Sequence, residues 1–152
     1  MELVVASDHA GFILKNLVVS HLMAKGWIVK DLGVDHPRDK ADYPDYALPL
    51  ARSVAAGEYE MGILVCGTGT GMALAANRVI GARAANCPNE YLARMARAHN
   101  NANILTLGQR VLGDGLALGI VDTFLATPFD GGRHQARLDK IYLDKINIDQ
   151  IP

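Results

Sequence analysis

The stretch Cys66-Gly67-Thr68-Gly69-Thr70-Gly71 joins a thiol to three closely spaced glycines. Glycines let backbone N–H groups approach a ligand closely, and a helix start behind them favours negative charge, so the segment reads as an anion-binding turn. A dinucleotide fingerprint would need GxGxxG and an acidic residue closing the next strand, but position 72 is Met and that strand ends in Asn86. No Lys follows the glycines as in a nucleotide P-loop. A cysteine at the end of a buried strand is, standing alone, more often a small apolar core residue. At the mouth of this turn, however, its thiolate would be stabilised and its pKa lowered, which would suit a base or a nucleophile. Cys87, followed by Pro88, lacks such a turn and reads as structural.

Asp8-His9 is the second pair with chemical potential. Asp8 can cap the first helix through backbone N–H groups, or the pair can act on a ligand. His21 and His36 have no neighbouring partner and read as solvated. The five histidines show no metal-ligand spacing, so no metal site is expected.

Periodicity supplies the elements that must position these groups. Leu3 to Ala6 reads as a strand, followed by a turn and a helix with apolar positions at Phe12, Leu14, Leu17, Val18 and Leu22. A second strand spans Trp27 to Asp31, a helix Tyr46 to Ala56, a third strand Met61 to Cys66, and a helix about Met72 to Arg78. Arg83 to Asn86 reads as a strand, Glu90 to Ala98 as a helix, Asn103 to Leu107 as a strand and Leu116 to Leu125 as a helix. Alternation of this kind predicts a doubly wound, mostly parallel five-stranded α/β sheet with helices on both faces. Ligands then collect beyond the carboxyl ends of the strands, where Asp8, His9, Cys66 to Gly71, Asn86, Cys87 and Gly108 to Arg110 all fall. After Gly131-Gly132 a last helix is expected from about His134 to Ile146, with Leu138, Ile141 and Tyr142 on one side and an apolar tail ending in Pro152. With no following strand to cover, it either packs on a second subunit or closes its own core.

Composition narrows the classes. The chain has 152 residues, half of them hydrophobic, which is the size of one domain spanning 1–152. A net charge of −1 with basic and acidic residues intermixed argues against a nucleic-acid partner. No apolar run reaches the roughly 18 residues of a membrane span, and no charged leader precedes the first strand. Two cysteines without a CxxC pair fit a reducing compartment. A cytoplasmic location, with no membrane partner, is the expectation.

Taken in order, Asp8-His9-Ala10-Gly11, Asp42-Tyr43-Pro44, the Cys66 to Gly71 turn, Arg94 to Asn103 with His99-Asn100, Gly108-Gln109-Arg110 and Gly131-Gly132-Arg133-His134-Gln135-Ala136-Arg137 resemble the ribose-5-phosphate isomerase B family over about residues 3 to 141. That family includes galactose-6-phosphate and allose-6-phosphate isomerases. The resemblance implies a metal-independent, cofactor-free aldose-ketose isomerase in which Cys66 moves the C2 or C1 proton. Thr68 and the backbone of Gly67, Gly69, Thr70 and Gly71 would hold the enediolate oxygens, a division that agrees with the value of preorganised donors at a developing oxyanion. It further implies that His99 opens the furanose ring, that Asp8 and Asn100 position hydroxyls, that Tyr43 lies near the sugar, and that His9, Arg110, Arg133 and Arg137 bind the phosphate. Arg133 and Arg137, four residues apart, share one helix face; two arginines on a solvated face are the alternative.

His99 lies between a helix and the next strand, on the amino edge of the sheet, opposite Cys66. If both act on one sugar, His99 comes from a neighbouring chain, so a homodimer with shared active sites, with or without pairing into a tetramer, is expected. Asn101 stands where many family members have Asp, and Val34 to Ala41 departs from the usual ribose-enzyme pattern. Ribose 5-phosphate and ribulose 5-phosphate are the first choice of substrate, with allose 6-phosphate, galactose 6-phosphate or a tetrose phosphate as alternatives. Two other classes remain open: a non-catalytic sugar-phosphate-binding module, and nucleophilic chemistry at Cys66 with His9 as its base.

Overall fold

In the computed structural model, which describes the backbone of residues 2–148 and side chains through Ile141, five parallel strands form one sheet in the order β2-β1-β3-β5-β4. The strands are β1 (Glu2–Ser7), β2 (Ile28–Asp31), β3 (Met61–Cys66), β4 (Ala84–Asn86) and β5 (Ile104–Gly108). The helices are α1 (Phe12–Ala24), α2 (Tyr43–Ala55), α3 (Thr70–Ala76), α4 (Glu90–Asn100), α5 (Asp114–Ala126) and α6 (Arg133–Ile148). The expected doubly wound α/β architecture is therefore present, and the expected positions of Tyr142 on one side of α6 and of the tail ending in Pro152 lie outside the described side chains and residues.

Alternation along the buried strands feeds two cores. Leu3, Val5, Ile63, Val65, Leu105 and Leu107 point to one face, where α1, α4 and α5 contribute Val18, Ala93 and Phe124. Val4, Ala6, Leu64, Cys66 and Ile104 point to the other, against Leu50 and Val54 of α2 and Met72 and Ala76 of α3. The chain leaves β1 toward one edge and β3 toward the other, which makes the carboxyl ends of these adjacent strands the switch-point crevice.

Several element boundaries move relative to the sequence reading, and each has a local cause. Helix α2 begins three residues earlier, at Tyr43, because Pro44 sits in its first turn, where a missing N–H costs nothing. Helix α3 begins at Thr70, so Thr70 and Gly71 belong to its first turn rather than to the loop. Helix α4 continues to Asn100, which puts His99 in its last turn instead of a connection. It stops at Asn101, whose left-handed φ of 45° suits asparagine better than most residues.

Arg97 ties that end to its surroundings. Its side chain is buried and donates to the Ala102 carbonyl at 2.5 Å, to Asn101 Oδ1 at 3.1 Å and to the Thr127 carbonyl at 3.3 Å. It also lies over the Phe124 ring at 5.7 Å. Burial, with a contribution from Arg83, lowers its pKa without removing its charge. Arg97→Ala strands these carbonyls and is expected to cost about 3 kcal/mol in urea unfolding.

His21, expected to be solvated and without a partner, instead pairs with Asp122 of α5 at 2.9 Å, and Lys25 meets the same carboxylate at 2.6 Å. Residues 101 positions apart could not be matched from the sequence. Burial pushes Asp122 up, but its Lys25 and His21 bonds outweigh that and hold the carboxyl below its ordinary range. Lys15 is buried too, and its Nζ is paired with Asp31. None of the helices among the described residues is long and apolar enough to cross a membrane.

Candidate active site

Strand β3 ends at Cys66, and the chain turns through Gly67-Thr68-Gly69 into α3. Gly69 has φ +80°, and a Cβ there would lie 2.5 Å from Asn86 Oδ1, so this turn requires glycine. Cys66 is 5% exposed, yet its sulfur is not merely embedded in hydrocarbon, because Sγ accepts the Gly69 N–H at 3.1 Å. That bond aims the sulfur at the turn. Thr68 and Thr70 are exposed beside it. Cys87, by contrast, is a buried thiol that burial pushes up to about 11, in keeping with a structural role.

The neighbouring loops close around this turn. Gln109 and Arg110 donate their backbone N–H groups to the carbonyls of Cys66 and Gly67 at 2.9 and 3.0 Å. The Arg110 guanidinium packs on Gly67, within 3.5 Å of where a Cβ would stand. From β1, Asp8 does cap the first turn, accepting from Ala10 and Gly11 at 2.9 and 3.1 Å. Burial raises the Asp8 pKa, while those two bonds and the charges of His9 and Arg110 pull against it. His9 Nδ1 lies 3.2 Å from the backbone of Ala41, and the Tyr43 ring packs on Gly71, 3.0 Å from where a Cβ would stand. Asp8, His9, Tyr43, the Cys66 to Gly71 turn and Arg110 thus form one cluster at the switch point.

The remaining candidates gather elsewhere. His99 stacks on His134, ring centroids 4.2 Å apart and planes 8° apart, which brings the start of α6, with Arg133 and Arg137, to the end of α4. Asn100 lines a hollow with Arg83, Ala85, Leu138 and Ile141. Strand β5 begins just after this cluster and ends with Gly108 beside Cys66, so the two clusters are separated by roughly 15 Å of strand. His9 and Arg110 therefore do not converge with Arg133 and Arg137 inside one chain.

His99, Asp130 and His134 also each offer a ligand-type atom within 4.8 Å of the others, a grouping that histidine spacing did not reveal. A shared metal must lie near both imidazole planes, and stacked planes only 8° apart do not converge within bonding distance of one ion. Arg133 and Arg137 add positive charge next to His134, so this surface suits an anion.

The sequence reading singled out neither Gln109, whose Oε1 accepts the Leu14 N–H at 2.9 Å, nor Asn86 as a buttress, whose Nδ2 donates to the Thr68 carbonyl and Thr70 Oγ1 at 3.3 and 3.4 Å. Their place on the carboxyl edge pointed to them, as did the Gly108-Gln109-Arg110 motif for Gln109, but neither gave them a role. Gly69→Ala drives a methyl into this buttress and misplaces the turn's amides; if those amides hold an oxyanion, kcat is expected to fall at least about 100-fold in a variant shown by circular dichroism to be folded.

A parallel α/β sheet that presents a thiol and an amide-lined anion turn at its switch point defines an enzyme working on a small anionic substrate. The chain belongs to the ribose/galactose isomerase family, whose model matches residues 3–141, and it is a sugar-phosphate isomerase. It is 47% identical over 134 residues to ribose-5-phosphate isomerase B of Escherichia coli strain K12, covering 88% of this chain and 89% of that one. It is 40% identical over 141 residues to a D-erythrulose-4-phosphate isomerase of Pectobacterium atrosepticum, covering 93% of each. The crystal structure of ribose-5-phosphate isomerase B from Mycoplasma genitalium with bound ribulose-5-phosphate superimposes with a TM-score of 0.90 at 43% identity, covering 95% of both chains.

Proposed function

We propose that the protein interconverts ribose 5-phosphate and ribulose 5-phosphate through an enediolate, with Cys66 as the base. The observation that carries this reading is the Cys66 sulfur, held by the Gly69 amide at the mouth of the glycine turn. In the forward direction a base takes the O1 proton of the furanose, the C1–O4 bond breaks toward O4, and O4 takes up a proton; His99 does this acid–base work, with Asp8 orienting hydroxyls. The thiolate then removes the C2 proton, and the electron pair moves onto the C1 carbonyl oxygen. The N–H groups of Gly67 to Gly71 and the Thr68 hydroxyl hold that oxyanion. The O2 proton then passes to the O1 oxyanion, the O2 electron pair closes the C2 carbonyl, and the C1–C2 double-bond pair takes back the proton from the same thiol at C1, which completes the ketose.

Two copies of the chain form each site in this reading. One copy supplies Asp8, His9, Tyr43, Cys66 and Arg110, and the other His99, Asn100, Arg133 and Arg137. The division of these residues into two clusters on opposite sheet edges supports it, because neither cluster alone carries both the base and a full set of phosphate ligands. Exposed Ile80 and Ile141, at 69% and 57%, offer apolar surface for the partner, on which α6 would pack. Phosphate bound between His9 and Arg110 of one copy and Arg133 and Arg137 of the other sets the distance to the base, and hence the sugar length accepted.

A turnover screen over four-, five- and six-carbon aldose and ketose phosphates tests the substrate. Ribose 5-phosphate is expected to give the highest kcat/KM; a tetrose or hexose phosphate exceeding it by about tenfold or more, roughly 1.4 kcal/mol in transition-state binding, contradicts the assignment.

A further inference from the structure

We propose that His134 is a positioning residue, the flat platform that fixes the His99 imidazole for opening the substrate's furanose ring. The inference rests on the role given to His99 above. The two rings lie face to face at 4.2 Å, and His134 is 6% exposed while His99 is half-buried. Among the described residues no hydrogen bond holds either nitrogen of His99, so the stack is the contact that sets its orientation. Both nitrogens remain available to substrate.

The platform is itself anchored. The Asp130 N–H donates to the Ala98 carbonyl at 3.0 Å, pinning the approach to α6 against the last turn of α4, next to His99. Gly131 and Gly132 follow with φ +64° and +53°, a pair of left-handed residues that turns the chain sharply into α6. The His134 N–H closes that turn on the Gly131 carbonyl at 3.0 Å, and one helical turn on, Leu138 is buried. His134 therefore meets His99 from a fixed direction.

Its electrostatic setting suits a platform better than a second base. Burial first, then His99, Arg133 and Arg137, hold the His134 pKa below the ordinary imidazole value, with Asp130 opposing them. A neutral ring can stay stacked while His99 gains and loses a proton, whereas two adjacent imidazolium ions would repel.

Ribulose 5-phosphate provides the discriminating control. Its O5 is esterified, so no hydroxyl can close a five-membered ring on C2, and exchange of its C1 proton needs the thiolate but no ring opening. In His134→Ala, kcat for ribose 5-phosphate is expected to fall about tenfold or more with KM within about twofold, while deuterium exchange at C1 of ribulose 5-phosphate keeps its rate. His134→Phe, which restores a flat stacking face, should bring kcat back to within about threefold of the parent. The proposal is overturned if His134→Ala turns over ribose 5-phosphate normally, if both reactions fall together, or if His134→Phe is no better than His134→Ala. A parent protein that neither converts ribose 5-phosphate nor exchanges the C1 proton would overturn the underlying isomerase reading instead, and this inference with it.

Discussion

Cys66→Ala is expected to lower kcat for ribose 5-phosphate by at least about 10⁴-fold while leaving competition by inorganic phosphate within about twofold, because the variant loses the proton carrier and keeps the phosphate ligands. The chain should remain folded, since removing one sulfur atom from a site that is 5% exposed costs only about 1 kcal/mol. Cys66→Ser sharpens the comparison. Its hydroxyl can still accept the Gly69 N–H, but an alcohol is far less acidic than a thiol, so activity should stay at least about 10³-fold down. Undiminished turnover in either variant would remove Cys66 from the proton path. Acyl-transfer chemistry at the same thiol fits the geometry less well: the polar group on Sγ is the Gly69 amide, and among the described residues His9, whose Nδ1 faces the Ala41 backbone, makes no hydrogen bond to the sulfur.

The second large effect concerns the split between the two residue clusters. Cys66→Ala and His99→Ala proteins should each be inactive toward ribose 5-phosphate alone. Unfolded, mixed in equal amounts and refolded together, they should regain about one quarter of the parent activity, since half of the dimers are hybrid and each hybrid contains one intact site of two. Mixing without subunit exchange should regain nothing. If refolded mixtures stay inactive although hybrid dimers are present, Cys66 and His99 do not serve the same sugar across two chains. The reason is topological: β5 carries the chain across the sheet, from the cluster around His99 to Gly108 beside Cys66.

Much of this arrangement was legible before any coordinates, for identifiable reasons. Strands such as Met61–Cys66 are continuous apolar runs ended by glycine, and glycine-rich turns announce where backbone must approach a ligand, so the parallel sheet and the Cys66 turn followed from pattern alone. The boundaries that moved are those where side-chain chemistry extends a helix beyond its apolar stripe: Pro44 lets α2 start early, and Asn101 with Arg97 lets α4 run through His99 and Asn100. Asn101 thereby gains a reading of its own. Where many family members have Asp, it caps α4 in a left-handed conformation and accepts from Arg97, a task of the scaffold.

Contacts across long sequence separations were not legible. The pairing of His21 with Asp122, the seat of Gln109 on the Leu14 amide and the stack of His134 on His99 all depend on how helices pack, and no local period encodes that. The resemblance implied Arg133 and Arg137 together with Arg110 as phosphate ligands, but only the fold shows that within one chain they lie at opposite edges of the sheet.

The central claim, a thiolate passing one proton through an enediolate, is tested most directly by proton NMR of ribulose 5-phosphate incubated with the protein in deuterated water. The parent is expected to wash deuterium into a single C1 position, with stereochemical preference, and Cys66→Ala to leave both C1 hydrogens in place. Conversion to ribose 5-phosphate without any solvent deuterium, or exchange that persists in Cys66→Ala, would contradict the account.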